Sequence, residues 1–328
     1  MPHDVPVLEV TQLRKQFALG RGWFRAAQSI RAVDGVSFRI GRGETLALVG
    51  ESGCGKSTVA NLLMQLTPPS SGEIRIGGEP VATHGTDALR QVWRQMQMVF
   101  QDPYASLNPR MRAHELVAEP LRNYGLGDAT SRRQRAAELL DRVGLPPSAA
   151  KKRVGNYSLG MRQRLGIAQT LLGEPSVLIL DEPANGLDPQ GIHWMRELLR
   201  DFADRAGTVL LSSHLLREIE VIADDLIVIG DGKIMAQGSK AELLATTGTL
   251  VRAHDPEVLY DGLVAADLSA TQAPDGALVV EAEPETVGRV AAELGCALIE
   301  LRPADGGGLE QLFLTLTSTN RDLEEVAA

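Results

Sequence analysis

The sequence lacks a cysteine framework and any long apolar segment. Its 328 residues include only two cysteines, Cys54 and Cys296, too few for a disulfide-stabilised fold and without the spacing of a metal site. No uninterrupted apolar run approaches the roughly 20 residues that span a bilayer. The first ten residues, MPHDVPVLEV, also lack the basic start and apolar centre of a secretory signal. We therefore expect a cytoplasmic protein with free thiols.

Repeats and low-complexity tracts are also absent, and the negative charge is concentrated in one part of the chain. From Lys240 to the end there are 5 Lys and Arg against 16 Asp and Glu, a net charge of −11 that leaves +2 for the rest of the total of −9. Such an acidic segment disfavours nucleic acid or an anionic lipid surface as its partner. The basic run at Arg132, Arg133 and Arg135 is typical of a solvated helix face, so no nucleic-acid partner is expected.

Short apolar runs alternate with helix-like stretches over residues 1–240. The runs TLALVG, SVLILD, TVLLSS and DLIVIG, at residues 45–50, 176–181, 208–213 and 225–230, are typical of an α/β sheet with both faces covered. Helical spacing in residues 113–125 and 131–144, the second stretch capped by Ser131, predicts a helical subdomain over about residues 102–172. Residues 241–328 alternate helix and strand patterns, end in a helix over GLEQLFLTLT, and predict a small C-terminal α+β accessory domain.

The segment GESGCGKSTVAN, residues 50–61, has the spacing of a phosphate-binding loop. Gly50 and Gly55 are followed by Lys56 and Ser57, a predicted strand precedes the loop, and a predicted helix follows it. In that context backbone N–H groups surround phosphate oxygens, Lys56 neutralises the terminal phosphates, and Ser57 offers its hydroxyl to Mg²⁺. A chance match is the alternative. The small side chain of Cys54 suits the loop without a redox role.

A second candidate element is SVLILDEPANGLD, residues 176–188. Its apolar residues predict a buried strand that presents Asp181 and Glu182 at its end. One carboxylate in such a place can serve the Mg²⁺ shell, and the next can orient an attacking water. Two acids after a strand also fit a solvated turn. The phosphate loop earlier in the chain favours the chemical interpretation.

The chain contains three further motifs besides these two. They are QMVFQD at residues 97–102, YSLGMRQRLGIAQTLL at residues 157–172 and LLSSH at residues 210–214. With all five motifs, roughly residues 7–240 resemble the ATP-binding subunit of ABC transporters. The resemblance implies an α/β P-loop NTPase fold of ABC type with a helical subdomain. It also implies ATP and Mg²⁺ as cofactors, and ATP hydrolysis coupled to transport across a membrane.

The resemblance assigns roles to individual residues. Gln101 matches the glutamine that senses Mg²⁺ and couples to the membrane subunit, and Asp181 matches the metal-binding aspartate. Glu182 matches the catalytic glutamate, and Asp188 lies in the loop that contacts the second subunit. His214 matches the switch histidine near the γ-phosphate, where an imidazole can donate to developing charge. The phosphate loop of the family corresponds to Gly50, Glu51, Ser52, Gly53, Cys54, Gly55, Lys56, Ser57 and Thr58.

Two positions match the family less closely. Phe17 occupies the place where an aromatic ring stacks on adenine, although a core residue is the alternative and the loop over residues 18–29 is long. The signature, usually Leu-Ser-Gly-Gly-Gln, reads YSLGM at residues 157–161 and keeps Ser158 and Gly160. Leu159 adds a side chain where the backbone approaches phosphate, which allows slower hydrolysis or altered closure. Part of the exporter branch resembles this variant, which argues against a dead site.

In this family the signature of one subunit completes the nucleotide site of another. The resemblance therefore implies a homodimer or heterodimer of ATP-binding subunits, bound to separate transmembrane permease subunits on the inner face of the cell membrane. The turn-rich segment from Gln101 to Arg110 suits an exposed loop that contacts the permease. A plain connector between sheet and helical insert is the alternative.

The direction of transport is ambiguous because two branches are represented. VFQDPYASLNPRM, residues 99–111, resembles peptide importers, whereas the chain from about residue 154 onward, including its tail, resembles drug and bacteriocin exporters. The tail lacks the His-Pro-Tyr-Thr stretch common in peptide importers. We therefore expect export of a drug-like or peptide compound, with peptide import as the alternative. A soluble ABC ATPase of translation or DNA repair is less favoured, because such proteins carry two cassettes or a long coiled coil.

Overall fold

The computed structural model describes residues 5–19, 28–81, 85–102, 106–244, 248–273, 276–303, 309–310 and 312. The chain divides into two units, Met1–Lys240 and Ala241–Ala328. The helix predicted over GLEQLFLTLT, residues 308–317, lies largely outside the described residues.

An antiparallel sheet forms one layer of the first unit. Its strands are β1 (Leu8–Leu19), β2 (Gln28–Ile40), β4 (Ser71–Ile76) and β5 (Glu79–Pro80), in the order β2-β1-β4-β5. Apolar side chains such as Leu8, Leu13 and Phe38 are buried in the core beneath it. The apolar runs considered in the sequence did not predict this sheet.

The second sheet contains the predicted apolar runs. Its strands are β3 (Thr45–Val49), β6 (Met96–Val99), β7 (Val177–Asp181), β8 (Thr208–Ser213), β9 (Asp225–Gly230) and β10 (Lys233–Ser239). The order is β10-β9-β3-β8-β7-β6, with parallel pairing throughout except between β9 and β10. Every residue of β3, β7 and β8 is buried, as expected for parallel strands covered on both faces.

Helices cover the parallel sheet and form the insert between β6 and β7. Helix α1 packs against β7, and α8 packs against β8. Within the described part of this unit, the helices are α1 (Lys56–Leu63), α2 (Thr86–Gln95), α3 (Ala113–Val117), α4 (Glu119–Asn123), α5 (Ala129–Arg142), α6 (Pro147–Ala150), α7 (Leu159–Leu171), α8 (Pro189–Asp204) and α9 (Leu216–Ile222). Helix α10 (Lys240–Leu244) lies at the division between the units.

Two details of the helical insert differ from the sequence prediction. Residues 113–125 do not form one helix but two, α3 and α4, because Pro120 has no N–H for the helical ladder and lies in the first turn of α4. Ser131 is not the cap of α5. The carboxylate of Asp128 accepts the N–H groups of Thr130 and Ser131, and these hydrogen bonds, that from Ser131 first, hold the pKa of Asp128 below its ordinary value.

The second unit alternates strands and helices around its own core. Its elements are β11 (Thr249–Ala253), α11 (Pro256–Ala265), β12 (Ala270–Gln272), β13 (Leu278–Val280), α12 (Pro284–Glu293) and β14 (Leu298–Pro303). The antiparallel order β12-β13-β11-β14 with this βαββαβ sequence is the ferredoxin-like arrangement. Val251, Leu259 and Val287 are fully buried between sheet and helices. The sequence predicted both helices and the strands β13 and β14, but it missed β11 and β12.

The parallel register brings three strand ends together. Val49 at the end of β3 lies beside Ser213 of β8, and Asp181 at the end of β7 lies beside Ser212. Ligands of open α/β sheets bind beyond the carboxyl ends of such strands. Among the described residues, no helix has the length and apolar character that a membrane span requires.

Candidate active site

The glycine loop after β3 is shaped by the chain packed around it. Gly55 has a φ of 114°, and a Cβ placed on it would lie 2.4 Å from the carbonyl oxygen of Ala32. Only glycine therefore fits this position. Helix α1 begins directly afterwards at Lys56, so the free N–H groups of its first turn and the positive end of its dipole lie at the loop.

The side chain of Lys56 is buried beneath this loop, with 6% of its surface exposed. Its Nζ donates to the carbonyl oxygens of Gly50, at 2.7 Å, and Glu51, at 2.9 Å. Nζ also lies 3.8 Å from Oε1 of Glu182. A buried ammonium requires such partners, and its remaining charge favours an anion at the loop.

Asp181 and Glu182 are both buried at the end of β7. Oε2 of Glu182 lies 2.7 Å from Nδ1 of His214 and accepts the backbone N–H of His214 at 3.3 Å. Because a carboxylate can only accept, Nδ1 is the protonated ring nitrogen of His214. Glu182 is thus placed between Lys56 and His214, with one carboxylate oxygen toward each.

The backbone of Glu182 is itself unusual. Its φ of 51° lies in the left-handed region, which residues other than glycine, asparagine and aspartate rarely adopt. Such a conformation persists only where surrounding contacts hold it, and it is concentrated at functional sites. Here the N–H of Glu182 donates to the carbonyl oxygen of Ser212 at 3.0 Å. The side-chain contacts and this hydrogen bond together fix the residue.

A cleft of about 410 Å³ opens between the loop and these strand ends. Gln101, at the start of the segment after β6, lies on its wall together with Glu182 and His214. The other lining residues are Ser52, Gly53, Gly55, Lys56, Ser57 and Thr58. The structure therefore brings most of the predicted loop residues, the predicted glutamine, the second acid and the predicted histidine into one cleft, with Asp181 buried beside it.

Cys54 faces inward at the base of the loop. The thiol is buried, and its Sγ lies 4.0 Å from Nζ of Lys56. Burial raises the pKa of Cys54, and the nearby Lys56 charge only partly offsets that effect. A thiol that stays protonated is a poor nucleophile, so the residue acts here as a small apolar filler.

The remaining predicted binding residues do not line this cleft. Phe17 lies on β1 with 43% of its surface exposed, and Nζ of Lys15 stands 5.1 Å from the ring centroid. The Ser158 hydroxyl caps α7 by accepting the N–H of Met161 at 3.3 Å. Gly160 lies in the first turn of this helix. Asp188 caps α8 by accepting the N–H of Gly191 at 2.7 Å.

Tyr157 fixes the backbone just before the signature residues. Its buried phenol donates to the carbonyl oxygen of Ala149 at 2.9 Å, and burial raises the pKa of Tyr157 to about 12. Ser158 is exposed next to this anchor. The cap of α7 is therefore held rigidly while its first turn remains accessible.

The Leu159 side chain packs on its own chain. A Cβ built on Gly186 would lie 2.0 Å from Cδ2 of Leu159, so that the leucine rests against the loop between Glu182 and Asp188. Gly186 has a φ of 76°, which favours glycine independently of this contact. The sequence placed Leu159 toward phosphate but did not predict this contact, because a spacing within one helix cannot show which loop packs against it.

Ser212 is a site residue that sequence reasoning missed. It lies within LLSSH, which was interpreted only through its final histidine. Its hydroxyl donates to Oδ1 of Asp181 at 2.5 Å. The only signal in the sequence was the count of residues back from His214, and that count becomes informative once the register of β7 and β8 is known.

A glycine loop at a helix start, two acids and a histidine at neighbouring strand ends define a P-loop nucleotide hydrolase of the ABC class. Residues 33–185 match the family described as ABC transporter. The probable peptide ABC transporter ATP-binding protein of Sinorhizobium fredii is 42% identical over 244 residues, which cover 73% of this chain and 68% of that protein. The oligopeptide transport ATP-binding protein AppF of Bacillus subtilis is 40% identical over 243 residues, covering 72% and 73%.

Solved structures agree with the sequence relatives. A dimeric ATP-binding cassette in a post-hydrolysis state, bound to ADP and Pi, has a TM-score of 0.65 and 26% identity, covering 71% of this chain and 98% of its own. A cassette from Clostridium perfringens that is part of an ABC transporter complex has a TM-score of 0.62 and 27% identity, covering 79% and 95%.

The chain belongs to the family of ATP-binding subunits of ABC transporters. The predicted fold class and family are therefore confirmed. Members of this class are ATPases that use ATP with Mg²⁺, work as dimers of cassettes and serve membrane-embedded transporter subunits.

The contact between Leu159 and Gly186 predicts a specific stability effect. Gly186→Ala forces an alanine into the left-handed region and against Leu159, and should lower the free energy of unfolding by about 1–3 kcal/mol. Gly166→Ala, in the middle of α7 where nothing lies within 4 Å, should instead be neutral or stabilise by up to about 1 kcal/mol. Urea unfolding measures both.

Adding Leu159→Ala to Gly186→Ala should recover part of the lost stability, because it removes the atoms that the new methyl group meets. If the two changes were simply additive, Leu159 would not rest on Gly186 in the folded protein.

Proposed function

We propose that this cleft hydrolyses ATP, with Glu182 orienting the attacking water. The observation that supports the proposal best is the position of the Glu182 carboxylate, fixed by His214 and Lys56 at the edge of the glycine loop. The residues present fit the nucleotide, because a buried ammonium and a helix N-terminus both favour phosphate at this place.

The proposed roles follow the chemistry of each side chain. Lys56 binds the terminal phosphates, and the loop from Gly50 to Thr58 surrounds them with N–H groups. Ser57, Gln101 and Asp181 offer the hydroxyl, amide and carboxylate oxygens that Mg²⁺ prefers. The metal, when bound, supplies neutralisation of phosphate charge. His214 holds the Glu182 carboxylate through Nδ1 and lines the same cleft as Lys56, where the phosphate end of the nucleotide would lie.

A second cassette completes this site in our proposal. Ser158 and Asp188 are exposed, and Gly160, in the first turn of α7 after Ser158, is half-buried. None of the three lines the cleft of its own chain. The N-terminus of α7, with its free N–H groups, is suited to phosphate bound on another chain. Phe17 offers an exposed ring on which adenine can stack.

Glu182→Gln tests the catalytic role. The amide keeps the size of the side chain but cannot act as a base, so turnover should fall by about 10²-fold to 10⁴-fold while ATP binding persists. A closed dimer should accumulate, measured by gel filtration with ATP. Hydrolysis at the wild-type rate would show that the assigned role is wrong.

Lys56→Ala is the matched change for binding. Removing the charge that faces the phosphates should weaken ATP binding by about 10-fold to 100-fold, the loss of a charged hydrogen bond. Fluorescent nucleotide titration of both variants separates the two roles, because only one of them should alter affinity.

We further propose that the segment from Gln101 to Arg110 contacts a permease subunit, so that the protein lies at the inner face of the membrane. Pro103, Tyr104 and Ala105 lie outside the described residues. Beside the segment, a cleft of about 180 Å³ is lined by Phe100, Ser106 and Leu107, and Phe100 has 39% of its surface exposed. An exposed aromatic ring at a cleft between the sheet and the helical insert suits a protein partner.

Ser106→Cys should crosslink to a transmembrane partner in membranes that contain the whole transporter. Ser148→Cys, exposed on α6 of the same insert, is the matched control and should not. Both changes are made with Cys296→Ser, while buried Cys54 stays. Crosslinks from Ser106 only to the chain itself, to ribosomes or to DNA would contradict this assignment.

For the cargo, we propose peptide import. The named relatives support this alternative better than the export expected from the tail, because they include the putative peptide import ATP-binding protein of Brucella ovis, 40% identical over 243 residues. The importer-like segment near Gln101 also lies where the permease is expected to bind.

Transport in vesicles decides the direction. Right-side-out vesicles with this subunit and its permease should take up a peptide when ATP is inside, and uptake should require an external substrate-binding protein. Accumulation of a drug-like compound in inside-out vesicles given external ATP would establish export instead.

A further inference from the structure

Ser212 contacts both acidic residues of the site through one hydroxyl group. It lies on β8 directly beside Asp181 of β7, in the last paired position of the two strands. The hydroxyl donates to Oδ1 of Asp181 at 2.5 Å and accepts the backbone N–H of Glu182 at 3.2 Å. Ser212 is 4% exposed, so no bulk water competes for these hydrogen bonds.

The two hydrogen bonds fix the orientation of the Ser212 hydroxyl group relative to Asp181 and Glu182. A hydroxyl has one proton, which here goes to Asp181, so the N–H of Glu182 must meet an oxygen lone pair. That same N–H is shared with the carbonyl oxygen of Ser212 at 3.0 Å. Ser212 therefore supplies both acceptors for the backbone of Glu182, whose φ of 51° requires support from outside the residue.

The geometry points to Ser212 as a positioning residue for the Mg²⁺-dependent reaction, an inference that rests on the proposed function of the cleft. By engaging Oδ1 of Asp181, Ser212 orients the carboxylate and leaves the second oxygen for the coordination shell of the metal. By holding the N–H of Glu182, it fixes the point from which the Glu182 carboxylate reaches His214. Loss of a group that hydrogen-bonds to a metal ligand usually weakens metal binding by about 10-fold to 100-fold.

The neighbouring serine provides a matched control. Ser213 is 3% exposed on the same strand, but its hydroxyl accepts the N–H of Leu215 at 3.0 Å at the start of α9. Ser212→Ala and Ser213→Ala thus each remove one buried hydroxyl from adjacent positions. Ser212→Thr restores a hydroxyl at the first position.

The test is Mn²⁺ affinity, measured by electron paramagnetic resonance with the full chain and a non-hydrolysable ATP analogue. Ser212→Ala should weaken Mn²⁺ binding by about 10-fold or more, whereas Ser213→Ala and Ser212→Thr should stay within about 3-fold of wild type. In ATPase assays at saturating Mg²⁺ and ATP, kcat of Ser212→Ala should fall relative to wild type and to Ser213→Ala. Thermal unfolding checks that the variants are folded.

The outcomes separate this inference from the proposed function. Equal Mn²⁺ affinity in Ser212→Ala and wild type, or equal weakening in Ser213→Ala, would overturn the positioning role and leave only a contribution to stability. Wild-type protein that binds Mn²⁺ and the analogue but never hydrolyses ATP would refute the proposed function. In that case, a selective loss of Mn²⁺ binding in Ser212→Ala would still support the position assigned to Ser212.

Discussion

The buried ammonium of Lys56 is the interaction on which the rest of the site depends. A charge with 6% exposure has to be compensated, and the chain does so with two loop carbonyl groups and the Glu182 carboxylate. The loop conformation, the start of α1 and the orientation of Glu182 are all tied to that single charge. Phosphate is the ligand that best replaces part of this compensation, since it too is an anion that accepts several hydrogen bonds.

The parallel sheet explains why residues so distant in sequence meet at this charge. Strands β3, β7 and β8 are adjacent and end at the same edge, which places the loop, the two acids and His214 side by side. Because these strands are buried on both faces, their positions are rigid. The strained backbone of Glu182 is tolerated at this edge, where β8 provides its hydrogen-bond acceptors.

Residues at the starts of α7 and α8 form a set separate from the cleft. The caps of α7 and α8, Ser158 and Asp188, are formed within one chain, yet neither residue lines the cleft of that chain. Leu159 joins these two regions by packing against Gly186. In a family whose members act as dimers, such a contact links α7 of a subunit to the loop that follows Glu182 of the same subunit.

Local patterns in the sequence were sufficient to predict the fold class and the family of this protein. The glycine spacing, the apolar runs and the acids after SVLIL predicted the fold class and the family, both confirmed, because each motif is a short segment whose chemistry is local. The family resemblance assigned Gln101, Glu182 and His214 to a nucleotide site, and in the structure these three residues line one cleft. Reasoning from local patterns failed at Pro120 and Ser131, where a missing N–H and a stronger carboxylate cap determine helix limits, and the export expectation from the tail is less well supported than peptide import.

Only the tertiary structure determined the contacts between residues on different strands and helices. The register of β7 and β8 places Ser212 beside Asp181, the packing of α7 places Leu159 on Gly186, and the antiparallel pairing of β11 with β13 and β14 organises the second unit. These contacts join residues whose separation along the chain carries no information about distance. A hydrogen bond of 2.5 Å between residues 181 and 212 depends on strand register, and register is set by the packing of the whole sheet.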